Sequence, residues 1–217
     1  MLEERIHRLR SEILEFAYLV QAMIEKSIEG LVRRQRELLE EVIERDEPKA
    51  NEKEILIDEL CITTIAQFQP VARDLRMILM TFGMNTDLER IADHAVNIAE
   101  NSLFLIERPP VKPLIDIPRM AEISAKMLKD SVEAFTKEDV RLARSVCERD
   151  DLVDGLMQQI LRELVTYMGE EPKVIERAIR LITIARNLER IADLSTNLSE
   201  DVIYMVEGKI IKHHKDV

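Results

Sequence analysis

Two copies of one short motif carry the most chemistry in this 217-residue sequence: Leu88-Glu89-Arg90-Ile91-Ala92-Asp93 and Leu188-Glu189-Arg190-Ile191-Ala192-Asp193. Each places a glutamate and an aspartate four residues apart, which on an α-helix sets both carboxylates on one face with Cβ atoms about 5–6 Å apart. Asn97 and Asn197 extend that face by a turn, and Glu100 and Glu200 continue it. A second acidic pair of the same spacing precedes each copy, Glu54 with Asp58 and Asp150 with Asp154. Carboxylate and amide oxygens are hard ligands, so grouped carboxylates of this kind suit magnesium, calcium, manganese or iron. His94, beside Asp93, offers the first set a nitrogen that tilts it toward iron, manganese or zinc. The matching residue is Leu194, so the second set would be all oxygen.

An antiparallel hairpin would bring the pairs together. Positions 54, 58, 89 and 93 are centred between 73 and 74, close to the turn signal Pro70, and positions 150, 154, 189 and 193 between 171 and 172, inside the break from Gly169 to Pro172. At a rise of about 1.5 Å per residue, the two pairs of each hairpin fall level to within roughly one helical turn. The plain alternative is a solvated acidic face. Leu88, Ile91, Ala92, Ala95 and Ile98 make an apolar stripe with the acidic residues opposite, and Arg90 and Arg190 offset part of the charge.

The elements that must hold these residues are helices. Residues 5 to 29 repeat apolar side chains at helical spacing through Ile6, Leu9, Ile13, Phe16, Val20, Met23 and Ile24. A shorter helix is expected from Leu31 to Glu44, and Pro48 opens the next, since proline fits the first helical turn. Pro70 divides a helix of roughly 49–69 from one of roughly 71–106. The proline-rich stretch Glu107-Arg108-Pro109-Pro110-Val111-Lys112-Pro113 reads as a linker at mid-chain. The second half then replays the first: a helix from about Pro118 to Phe135, a restart at Thr136 with Asp139 three residues on as a capping-box-like start, a helix to Met168, and a last helix to about Glu207. Val42-Ile43-Glu44-Arg45-Asp46-Glu47 returns as Val146-Cys147-Glu148-Arg149-Asp150-Asp151, so one unit of about 100 residues is duplicated. The expected fold class is all-α: two tandem three-helix bundles in series, of spectrin-repeat-like build, with residues 1–108 as the first, 109–117 as linker and 118–217 as the second.

Composition agrees with long amphipathic helices: 46 % hydrophobic and 34 % charged residues, five glycines and no tryptophan. A net charge of -11 sets the chain against nucleic acid and anionic lipid as direct partners. Cys61 and Cys147 lack any metal or redox spacing and read as buried apolar fillers, as do Met77, Met80 and Met84. With no apolar run of about 18 residues, no membrane insertion is expected, and a cytoplasmic location follows. The tail Lys212-His213-His214-Lys215-Asp216-Val217 reads as a solvated end rather than a metal tract.

The acidic pairs within duplicated three-helix units, together with Glu59, Pro70, Asp74-Leu75-Arg76 and the Leu-Glu-Arg-Ile-Ala-Asp motif in order, resemble the PhoU family across both halves of the chain. The resemblance implies a cytoplasmic regulator of phosphate homeostasis, peripheral at the inner membrane through protein partners. It would restrain the phosphate-specific ABC transporter, through its nucleotide-binding subunit, and the phosphate sensor histidine kinase. It also implies a homodimer and multinuclear metal clusters, iron foremost with manganese, zinc or magnesium as alternatives. Carried over, the first site would use Glu54, Asp58, Glu89, Asp93, His94 and Asn97, and the second Asp150, Asp154, Glu189, Asp193 and Asn197. Asn187 stands where the first repeat has Asp87, so the two sites need not be alike.

Two other classes compete. A di-iron-like helical-bundle enzyme typically needs two Glu-x-x-His motifs facing a core; only Glu4 to His7 fits, at a terminus expected to fray. A mechanical helical spacer would need neither metal nor partner. The absence of a phosphate loop or a nucleophile turn favours a regulator without a reaction of its own.

Overall fold

The computed structural model describes residues 1–208, so His213 and His214 lie outside the described residues. The helices run, in order, α1 Leu2–Arg33, α2 Arg36–Glu41, α3 Glu47–Phe68, α4 Ala72–Ile106, α5 Asp116–Lys137, α6 Val140–Cys147, α7 Asp150–Glu170 and α8 Ile175–Glu207. The fold is all-helical, with two three-helix bundles: α1, α3 and α4 in one, α5, α7 and α8 in the other. No described helix is long and apolar enough to cross a membrane.

Local chemistry explains most of the breaks. At Gln69 the chain takes a left-handed conformation, φ 45°, just before Pro70, and Glu171 is extended before Pro172. Gly30 is required because Leu39 of the following short helix packs on it: a Cβ there would sit 2.5 Å from a Leu39 methyl.

The bundles are laid side by side, sharing one continuous core, rather than strung end to end. Helices α3, α4, α8 and α7 form one layer, and α1 and α5 cover its inner side. In the centre α4 and α8 run antiparallel: His94 is level with Asn187, 2.8 Å away, and Asn101 with Arg180, 3.1 Å away. The two copies of the duplicated motif therefore cross near Arg90 and Ile191. Ile91, Ala92, Ala95 and Ile98 are buried, as are Ile191, Ala192 and Ser195, which leaves the acidic side of each helix on the outer face. Burial of each large aliphatic side chain contributes about 1.5–3 kcal/mol.

Several boundaries differ from the sequence-based expectation. The stretch from Leu31 to Glu44 is not one helix: α1 runs on to Arg33, and α2 passes through a π-helical turn, Val42–Asp46, directly into α3. The restart at Thr136 is also corrected. The Thr136 hydroxyl donates back to the Val132 carbonyl within α5, and the chain breaks at Glu138 (φ 53°). Asp139 itself is the cap, its carboxylate accepting from the Arg141 and Leu142 backbone amides at 2.9 and 3.1 Å. A break at 148–149 then separates α6 from α7. Cys61 is buried, with burial pushing its thiol up to about 12, but Cys147 is only half-buried. The connecting segment is pinned by Lys112, which is 6 % exposed and bonds Asp116 and Glu163.

The cap assignment is open to test. Asp139→Ala should cost about 1 kcal/mol, or roughly 2–4 °C in melting temperature for a chain of this size, whereas Thr136→Ala should change it by less than about 1 °C. Thermal unfolding followed by circular dichroism checks both.

Candidate metal centres

The hairpins α3–α4 and α7–α8 bring acidic residues of facing helices together: Glu54 neighbours Glu89 and Asp93 in the first, and Asp150 and Asp154 neighbour Glu189 and Asp193 in the second. In the first hairpin, buried Asn85 on α4 donates to the Glu54 carbonyl and to Asp58 Oδ1, both at 2.8 Å, which locks the register of α3 against α4. Glu54 and Glu89 are half-buried, and both carboxyls sit above the usual carboxylate range. Burial is the larger cause for each. Like charge follows: Asp58 and Asp93 for Glu54, Asp93 and Glu54 for Glu89. Asn97 lies exposed one turn on, its amide donating to the Asp93 carbonyl at 3.0 Å.

The second hairpin gathers Asp150, Asp154, Glu189 and Asp193 in the same way. Asp150 is pushed up to about 6, first by burial and then by Asp193, Asp154, Asp151 and Glu189. Asp154 and Glu189 are raised too, by burial and then by their acidic neighbours, with Arg190 and Arg186 working against the shift at Glu189. Arg190 reaches Asp193 Oδ2 at 3.0 Å, so part of the charge is offset, across an exposed pair worth little in water.

The two clusters are not copies. Asp46 lies 42 residues before Leu88, whereas its sequence match Asp150 lies 38 before Leu188, so the first repeat holds four extra residues, about one helical turn. In register with the motif, Glu54 matches Asp154, Asp58 matches Gln158 and Ala50 matches Asp150. Consistent with this, Glu54 has Glu89 and Asp93 as acidic neighbours across its hairpin, and Asp154 has Glu189 and Asp193. The displaced Asp46 is buried away from the cluster and held by Lys26 at 2.6 Å.

His94 turns toward the second repeat. Because the Asn187 amide nitrogen donates to the Thr183 carbonyl at 2.8 Å, its Oδ1 is the acceptor for His94 Nδ1–H, which leaves Nε2 as the nitrogen with a lone pair in the neutral ring. His94 lines an open cleft of about 320 Å³ with Arg90, Asp150, Arg190, Asp193 and Asn197. It therefore borders the second cluster across the repeat boundary, where sequence reasoning placed it with the first. His7, the histidine of the Glu-x-x-His run, lies in a different surface pocket, with Arg10, Asp74 and Glu138, so it joins neither cluster.

As the side chains are placed, no three His, Cys, Asp or Glu among the described residues close on a common point at ligand distance. Like-charge repulsion favours that spread. The donor set still suits a hard cation, and one observation in each cluster points the same way. Asn85 Oδ1 in the first and Asp150 Oδ1 in the second are buried with no hydrogen-bond partner among the described residues. A buried oxygen left unpaired is costly, and a bound cation is one of the few groups that satisfies it without a donor hydrogen. Asn85 was not singled out from the sequence; its signal was an amide on the apolar stripe of α4.

Known proteins are similar to this chain along nearly its whole length. The family model described as the PhoU domain matches residues 13–102 and 117–202, once in each repeat. The phosphate-specific transport system accessory protein PhoU homolog of Aquifex aeolicus is 44 % identical over 210 residues, covering 97 % of this chain and 95 % of that protein. A homolog of the same name numbered 2, from Thermotoga maritima, is 36 % identical over 216 residues, covering 100 % of this chain and 92 % of that protein. Among solved structures, PhoU from Pseudomonas aeruginosa superposes with a TM-score of 0.93 at 34 % identity, covering 96 % of this chain and 100 % of that one. The phosphate transport system regulatory protein PhoU from Streptococcus pneumoniae gives 0.90 at 25 %, covering 98 % of this chain and 100 % of that one.

The raised carboxyls make stability depend on pH with a definite sign. The folded pKa of Asp150 lies above its unfolded value, so its contribution is fully present below about 4 and is lost as pH rises through about 6. In chelator at pH near 7.5, Asp150→Asn should raise the melting temperature by roughly 4 °C, allowing for solvent screening of a half-exposed group. That advantage should shrink steadily as pH falls from 6 to 4; a gap independent of pH would contradict the crowded-carboxylate description.

Proposed function

The chain belongs to the PhoU family, and from that premise we propose that it is a non-enzymatic accessory regulator of a phosphate-specific transport system, holding metal ions on the outer face of its four-helix layer. The observation that carries the reading is that the family match covers both repeats, and each matched segment contains one complete acidic cluster. The names of its relatives as transport-system accessory proteins support the association with phosphate transport.

Glu54, Asp58, Glu89 and Asp93, with Asn97, would hold cations in the first repeat, and Asp150, Asp154, Glu189 and Asp193, with Asn197, in the second. Iron is the first expectation, with manganese, zinc or magnesium compatible with the same oxygen ligands. A bound ion would supply positive charge and open coordination positions on an otherwise acidic face. What the chain's own residues do is hold the oxygens in register. Asn85 fixes α3 against α4, Asn187 orients His94, and Arg190 draws Asp193 toward the central cleft.

Both clusters lie on one outer face, open to solvent, which favours contact with another protein surface over an enclosed reaction site. The partners we assign are the transporter's nucleotide-binding subunit and the phosphate sensor histidine kinase, met from the cytoplasmic side. The regulation is negative: uptake and signalling are restrained when phosphate is plentiful.

Labelled phosphate uptake in cells lacking the protein, grown with ample phosphate, tests this reading. Wild-type protein should restore restraint, and the variant carrying Glu89→Ala, Asp93→Ala, Glu189→Ala and Asp193→Ala, accumulating to the same level, should not. Restraint by the variant equal to wild type would overturn it.

A further inference from the structure

A concentration of positive charge in this acidic protein lies away from the clusters, at the corner where the C-terminal end of α4 meets the first turns of α8. Arg108 stacks over the Phe104 ring with its guanidinium carbon 3.5 Å from the centroid, and Arg180 approaches the same ring at 4.9 Å. Arg177 donates to the Pro109 carbonyl, and Arg34 to those of Ile106 and Arg108. Against these four guanidiniums stands one carboxylate, Glu107, 3.7 Å from Arg108 and already engaged by Arg36. Among the described residues no carboxylate lies within ion-pair distance of Arg34, Arg177 or Arg180.

Capping accounts for part of this corner. Arginine near a helix C-terminus satisfies the last carbonyls and suits the helix dipole, which covers Arg34 and Arg108. It does not reach Arg180, which donates to the Asn101 side chain at 3.1 Å.

The duplication supplies an internal control. The α4–α8 packing is close to two-fold symmetric, so the opposite corner, where α8 ends against the first turns of α4, is built on the same frame. There the positions of Arg177 and Arg180 are taken by Met77 and Met80, and those of Phe104 and Arg108 by Tyr204 and Gly208. The fold therefore accepts methionine at both arginine sites. Of its cationic residues, Arg10 and Arg73 pair with Glu138 between them, while Arg76 makes no ion pair among the described residues. Half-buried guanidiniums that lack a carboxylate, where the frame itself asks for none, mark a place built for a charge from outside.

We propose that the corner formed by Arg108, Arg177 and Arg180 around Phe104 is an oxyanion site, taking a doubly charged phosphate-type group. A guanidinium presents paired N–H donors in a plane, the geometry that matches phosphate oxygens bidentately. Lys173, level with Arg108 across the seam, and Arg34 on the other side add charge without closing the corner. The site lies about 16 Å along α4 from Asp93, so it is distinct from the acidic clusters, and its argument does not rest on the transport reading.

The test is calorimetric titration of the full chain, in chelator and at constant ionic strength set with chloride, with orthophosphate and separately with pyrophosphate. Saturable binding is expected. It should weaken by about tenfold or more in Arg177→Met with Arg180→Met, the residues tolerated at the matching corner, while Arg180→Lys should retain part of it. Tighter orthophosphate would identify the free ion as the ligand, and tighter pyrophosphate a phosphoryl group of a larger molecule. Binding should persist when Glu89, Asp93, Glu189 and Asp193 are replaced by alanine, which separates this site from any metal-held phosphate. No saturable binding up to about 10 mM, or binding unchanged in the double methionine variant, would overturn the proposal.

Discussion

Helices α4 and α8 lie antiparallel with their duplicated motifs crossing, and most of the other features follow from that contact. It joins the cores of two bundles into one and places both acidic faces on the same side of the molecule. The seam is interrupted by polar groups: His94 bonds Asn187, and Asn101 bonds Arg180. An apolar seam alone would tolerate sliding by a turn, whereas each of these pairs would leave a partly buried polar group unsatisfied if it moved. Register, and with it the placement of both clusters and of the arginine corner, is set by a few hydrogen bonds within a large hydrophobic contact.

That hydrophobic contact also explains how like charges are kept together. A like-charge pair at helical spacing costs about 0.2–0.5 kcal/mol, while each buried aliphatic residue on the same helix contributes several times more. The stripe through Leu88, Ile91, Ala95 and Ile98 holds Glu89 and Asp93 where it must, and the Glu89 carboxyl responds by holding its proton more tightly. The carboxylates are thus gathered on one face by forces unrelated to any cation.

Much of this was legible in the sequence because it depends on periodicity and repetition. The long helices, the approach of Glu54 to Glu89 and Asp93 across the first hairpin, and the duplication rest on spacing alone. Thr136 and Asp139 show where that reasoning stops: both are plausible caps, and only the left-handed turn at Glu138 decides between them. His94 was placed with Asp93 because they are neighbours in sequence, yet adjacent residues on a helix point about 100° apart, and His94 faces the other repeat. The one-turn shift between the clusters was available as a change in repeat offset, from 104 at the Glu-Arg-Asp motif to 100 at the Leu-Glu-Arg-Ile-Ala-Asp motif, but its meaning required knowing that the surplus turn sits before the cluster. The arginine corner is visible only by comparing the repeats position by position, since Arg177 and Arg180 alone look like ordinary surface charge.

The central claim is that the two acidic clusters are kept for cations rather than for solubility. Elemental mass spectrometry of the untagged protein, purified without chelator, addresses it most directly. Iron, manganese or zinc at more than about one equivalent per chain, and its loss from the four-alanine variant at unchanged helical content, is the expected result. Metal-free protein that also fails to take up added iron, manganese, zinc or magnesium would contradict it and leave both faces as solvated surface.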